Sequence, residues 1–149
     1  MLILTLTLLL LLGWVQTLPT DDLVDGRNAA LEFRNMIAAV TGRSAFDYLG
    51  YGCHCGLGGK GKPVDQVDFC CQVHDQCYAD TSTYLQFWKL CSPHLITYSW
   101  SYANGVVSCT GAQDNCGYKT CLCDKFAAEC FARNTFNPQY ISYSQSRCS

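Results

Sequence analysis

The sequence predicts a mainly α-helical single domain held by disulfides, with an N-terminal helix, two longer cysteine-bearing helices, a glycine-rich loop and a small two-stranded β hairpin. Three observations lead there. The chain has 12 cysteines in 149 residues, apolar residues recur at helical spacing between glycine-rich breaks, and one Asn-Gly pair lies between runs of alternating polar and aromatic residues. The length suits one domain. So many cysteines in a short chain point to an oxidising compartment, and their even number allows six bridges with no thiol left over. Charged residues at 15% and aromatics at 13% argue against disorder. With 10 basic and 12 acidic side chains the formal charge is −2, and no basic stripe tracks phosphates, so no nucleic-acid partner is expected.

The elements follow in chain order. Leu2 to Leu12 contains only Leu, Ile and Thr, a run of signal-peptide length and too short to span a bilayer. Only Met1 precedes it, so the usual basic n-region is missing. Val15 and Thr17 suit the −3 and −1 positions of a cleavage site, so residues 1–17 are expected to be a signal peptide and the protein to be secreted. The acidic stretch LPTDDLVDGR ends in Arg27, where a trypsin-like protease would cut, which makes 18–27 a propeptide and 28–149 the mature domain. That cut removes Arg27 with Asp21, Asp22 and Asp25, leaving nine bases and nine acids.

Leu31, Phe33, Met36, Ile37 and Val40 predict a first helix from Ala29 to Val40 that stops at Thr41-Gly42. Between Tyr48 and Pro63, six glycines interleave with Cys53 and Cys55, too densely for regular structure. Asp65 or Asp68 caps a second helix that runs through Asp80, and a third runs from Cys116 or Tyr118 to about Arg133. The segment TYSWSYANGVVSCT around Asn104-Gly105 predicts the hairpin.

Cys70 and Cys77 are seven apart, as are Cys123 and Cys130. Each pair therefore lies on one face of its helix, two turns apart, and two disulfide rungs can join the helices. Antiparallel pairing (70 with 130, 77 with 123) and parallel pairing (70 with 123, 77 with 130) fit the spacing equally well. In the antiparallel case Asp124 sits level with position 76, between His74 and Tyr78, which are i,i+4 neighbours. A carboxylate then meets an imidazole and a phenol, an arrangement that fixes a histidine tautomer and supports its charge. Asp75, about 100° further round the helix, faces the glycine loop.

The string YGCHCGLGGKGKPVDQVDFCCQVHDQCY from Tyr51 to Tyr78, with CLCDKFAAECF from Cys121 to Phe131, resembles the calcium loop and two catalytic helices of the secreted phospholipases A2. ALEFRNMI from Ala30 to Ile37 resembles that family's N-terminal helix. The resemblance implies antiparallel helices and the remaining bridges Cys53–Cys148, Cys55–Cys71, Cys91–Cys116 and Cys109–Cys121. A seventh bridge found in many members is absent, because its positions align with Ala39 and Tyr102. It also implies one calcium ion on both carboxylate oxygens of Asp75 and the carbonyls of His54, Gly56 and Gly58. His54 stands where tyrosine is usual, which a backbone ligand tolerates.

By the same resemblance, His74 is the general base on water in hydrolysis of the sn-2 ester of glycerophospholipids. Asp124 orients it, and Tyr78 and Tyr98 hold Asp124. The ester oxygen leans on calcium and on a loop N–H, that of Gly56. Leu31, Phe33 and Ile37 are expected to line the acyl channel, with Phe46 and Leu57 on its rim, and the partner is a phospholipid surface met by a monomer. The general chemistry agrees: calcium takes six to eight oxygens from carboxylates and carbonyls in a pliable loop, and an imidazole titrating near ~6.5 can accept a proton from water.

Competing readings are weaker. Zinc on His54, Cys70, Cys71 and His74 needs reduced thiolates, which an oxidising compartment denies. A non-catalytic relative would typically have lost the histidine or the metal-binding aspartate, and His74 and Asp75 are both present. His94 reads as a surface histidine.

Overall fold

The computed structural model describes residues 28–82, 91–113 and 115–149. The signal peptide and propeptide expected over 1–27 lie outside the described residues. The first helix, α1 (Ala29–Thr41), begins at Asn28, whose side chain accepts the Leu31 N–H at 3.1 Å, and stops at Gly42, whose N–H donates to the Ala38 carbonyl. Met36 and Ile37 are buried beneath it, each contributing about 1.5–3 kcal/mol. One turn of 3₁₀ helix, which the sequence reading did not anticipate, follows at Ala45–Asp47.

Helix α2 (Gln66–Ser82) starts after Asp65, whose side chain accepts the Asp68 N–H at 2.9 Å. Asp65 is therefore the cap, and Asp68 is turned inward for another purpose. Strands β1 (Ser99–Ala103) and β2 (Val106–Thr110) pair antiparallel, with Ala103 opposite Val106. Asn104 and Gly105 carry the turn at φ of 52° and 79°, the two positive dihedrals that a tight hairpin needs. Helix α3 (Cys116–Arg133) is capped by Asn115 through the Tyr118 N–H.

The rungs settle the orientation left open by spacing. Cys70 bonds Cys130 and Cys77 bonds Cys123, so α2 and α3 are antiparallel. The other bridges are Cys53–Cys148, Cys55–Cys71, Cys91–Cys116 and Cys109–Cys121, the set that the resemblance implies, and none of the described cysteines is free. The core lies where α1 crosses α3: Met36, Ile37, Tyr48, Tyr51, Val67, Ala128 and Phe131 form one buried cluster. Tyr48 stacks on Phe131 at 4.3 Å between ring centroids. Ala39 and Tyr102, the positions without a seventh bridge, are both exposed. Phe87 and Trp88 fall outside the described residues.

Candidate active site

A cavity of about 300 Å³ opens between α1, α2 and the glycine loop. Its walls are largely apolar, with Phe33, Ile37, Tyr48 and Phe131 on one side, and His74 and Asp75 at its polar end beside Cys55, Gly56 and Leu57. This is the usual character of a small-molecule site, apolar with a few placed polar groups. Leu31 does not line it. Ala30, Phe33, Arg34 and Ile37 do, because packing of α1 on α3 turns that stripe toward the cavity and leaves Leu31 one step round the helix.

His74 is held from three sides. Its Nε2 lies 2.6 Å from Asp124 Oδ1, Phe33 stacks on its ring at 4.5 Å with 17° between planes, and the Tyr78 ring sits 4.4 Å away. With Nε2 occupied by a carboxylate, the imidazole carries its proton there and leaves Nδ1 as the free nitrogen. Asp124 is fully buried and accepts two further bonds, from Tyr78 Oη at 2.9 Å and from Tyr98 Oη. Burial, reinforced by the Asp124 charge, pushes both phenols above the ordinary tyrosine range, so both remain protonated donors. The structure thus brings together His74, Tyr78, Tyr98 and Asp124 from two helices and the lead into β1.

The Asp75 carboxylate meets no described residue through a hydrogen bond or ion pair. The residue is solvent-accessible, yet its carboxyl lies against the cavity wall. Partial burial pushes it above the usual carboxylate range, against the opposing pull of His74, His54 and His94. The loop facing it has carbonyls to spare. The N–H of Cys55 donates to Tyr51 O at 3.2 Å, and peptide planarity turns the His54 carbonyl the opposite way. The carbonyls of Cys53 and Cys55 are taken by Lys60 and Gly50, whereas those of His54, Gly56 and Gly58 accept from no described residue. Carboxylate and carbonyl oxygens are the donor types that a hard cation such as calcium takes. No group of three His, Cys, Asp or Glu side chains placed to hold a metal ion occurs among the described residues.

The imidazole of His54 is buried, with Nε2 2.9 Å from Gly61 O. Sequence reasoning missed three residues. Asp68 has no exposed surface and receives the N–H groups of Cys53, His54 and Val64. His94 is exposed but lines the cavity, its ring 5.0 Å from Tyr78. Leu49 joins Phe46 and Leu57 as an exposed apolar residue, the three being 64%, 67% and 99% accessible. Leu49 is the one that the sequence signals, being apolar in a loop without helical periodicity.

The family profile described as Phospholipase A2 matches residues 30–141. The chain is 43% identical over 121 residues to basic phospholipase A2 caudoxin of Bitis caudalis, a match covering 80% of this chain and 93% of that protein. It is 42% identical over 125 residues to the membrane-associated phospholipase A2 of Rattus norvegicus, covering 82% of each. Acidic phospholipase A2 2 of Naja sagittifera is 42% identical over 120 residues, covering 79% of this chain and 92% of its own length.

Proposed function

Since this chain belongs to the phospholipase A2 family, we propose that its hydrolysis of the sn-2 acyl ester of glycerophospholipids runs through His74 as general base on water and depends on calcium. The observation that carries this reading is the buried Asp124 on His74 Nε2, which leaves Nδ1 to take a proton at the cavity end where Asp75 also lies. Asp124 stabilises the imidazolium that forms, and the hydroxyls of Tyr78 and Tyr98 donate to Asp124 and hold it in orientation. No covalent nucleophile is required, since a general base can activate water for direct attack on the ester.

Asp75 and the carbonyls of His54, Gly56 and Gly58 would hold calcium. When bound, that ion supplies Lewis-acid polarisation of the ester carbonyl. The Gly56 N–H donates to no described residue, which supports its reading as the donor that would meet the developing oxyanion. Phe33, Ile37 and Phe131 exclude water from the acyl chain. A bilayer would be met by Phe46, Leu49 and Leu57 around the cavity mouth, inserted as apolar anchors. Arg43, near this rim, is already engaged by Asp47 at 4.0 Å and by the Phe136 ring at 4.4 Å, which leaves it less free to recruit anionic lipid. No described helix is long and apolar enough to cross a membrane, and secretion agrees with six bridges. The test is fatty-acid release from phosphatidylcholine vesicles: release with calcium and none with a chelator is expected, and equal release under both conditions overturns the reading.

A further inference from the structure

Asp68 has no role in the chemistry above, yet it is the carboxylate most enclosed by backbone donors. It has no exposed surface, and no described lysine, arginine or histidine side chain pairs with it. Its charge is met by three amides. Oδ1 accepts the His54 N–H at 2.7 Å, and Oδ2 accepts those of Cys53 at 2.8 Å and Val64 at 2.9 Å. Burying a charge without a counterion is expensive unless such bonds are all made. Cys53 and His54 precede the run of glycines from Gly56 to Gly61 and Val64 follows it, so one carboxylate holds that run from both sides. Gly52 is pressed against it: a Cβ there would lie 2.3 Å from the Asp68 carboxyl carbon, so the fit tolerates no side chain.

We propose that Asp68 is a positioning residue that presets the loop for its cation, by drawing the amides of Cys53 and His54 inward so that the His54 carbonyl is turned out toward Asp75. The inference rests on the calcium reading of the loop. The geometry gives the cause. With the N–H groups of residues 53, 54 and 55 all committed inside, the chain through His54 has one orientation before any ion arrives. The entropy of ordering the loop is then met on folding and not on binding. Removing the carboxylate frees the loop ends, and cation affinity falls by the tenfold to hundredfold that groups supporting a metal ligand commonly control.

Calorimetric titration of the processed, disulfide-intact protein with calcium chloride tests this, together with amide hydrogen exchange in the calcium-free form. Asp68→Asn is expected to bind calcium at least about tenfold more weakly, with faster exchange at Cys53, His54 and Val64 and unchanged protection in α1 and α3. Gly52→Ala provides a second route should Asp68→Asn fail to fold. It keeps the carboxylate but displaces it, and is expected to weaken calcium binding as well, non-additively with Asp68→Asn. Wild-type affinity in whichever variant folds, even with a lowered melting temperature, shows a merely structural role and overturns the proposal while leaving the calcium reading intact. A wild type that takes up no calcium overturns both, and Asp75→Asn marks the difference by abolishing binding only where the calcium reading holds.

Discussion

Asp124 and Asp75 show how one residue type takes two roles from its surroundings. Asp124 has no exposed surface and three donors, His74, Tyr78 and Tyr98; Asp75 stands at the cavity with no partner among described residues. Asp75→Asn is therefore expected to abolish calcium binding and lipolysis while circular dichroism stays that of the folded protein, since no internal contact is lost. Unchanged calcium affinity in calorimetry would contradict the assignment. His74→Gln removes the free Nδ1 and the Phe33 stack but leaves Asp75 in place. Calcium should still bind, while turnover falls roughly 10²- to 10⁴-fold, the usual contribution of a general base. Near-normal turnover would mean that another group takes the proton.

At the scale of elements, the antiparallel register of α2 and α3 brings His74 opposite Asp124, and two rungs hold it. Cys70–Cys130 closes a sequence separation of 60 residues, so replacing both cysteines by alanine is expected to cost about 2–5 kcal/mol. The loss is readable as a lower midpoint in chemical denaturation, and a midpoint within error of wild type would show that packing alone sets the register. The loops around the cavity mouth act as a second unit. Leu57 is 99% and Phe46 67% accessible, so each has nearly its whole side chain to bury in a lipid surface. Alanine at either position should weaken partitioning to phosphatidylcholine vesicles by up to ~1.5–3 kcal/mol, with hydrolysis of a monomeric short-chain ester little changed. Equal losses on both substrates would place these side chains in the catalytic cavity instead.

For the whole molecule, charge is the deciding quantity. The processing at Arg27 that the sequence leads us to expect would leave nine bases against nine acids, and apolar insertion is little screened by salt. Vesicle binding is thus expected to persist across a salt series; binding that needs anionic lipid and vanishes in moderate salt would reveal a local basic patch as the anchor. The N-terminus matters at this scale too. Asn28 caps α1 and Ala29 is fully buried beside it, so a chain still carrying residues 18–27 should bind calcium yet act poorly on aggregated lipid. Equal vesicle activity of precursor and processed forms would refute that.

The sequence by itself determined what depends on local spacing. Helix periodicity placed α1 and α3 to within a residue or two, Asn104-Gly105 placed the hairpin turn, and the seven-residue steps put Cys70 with Cys77 and Cys123 with Cys130 on single helix faces. His74, Tyr78 and Asp124 were legible together because two of them share a helix face and the third follows from the register. Tertiary structure decided what depends on which way an element is turned when it packs. Spacing could not choose between parallel and antiparallel rungs, and the bridges Cys70–Cys130 and Cys77–Cys123 chose. Leu31 and its neighbour Ala30 differ by about 100° around α1, so only the contact of α1 with α3 settled that Ala30 faces the cavity and Leu31 does not. Asp68 read equally well as a helix cap, because its partners Cys53 and His54 lie a whole loop away in sequence and come within hydrogen-bond reach only when the loop folds back on α2.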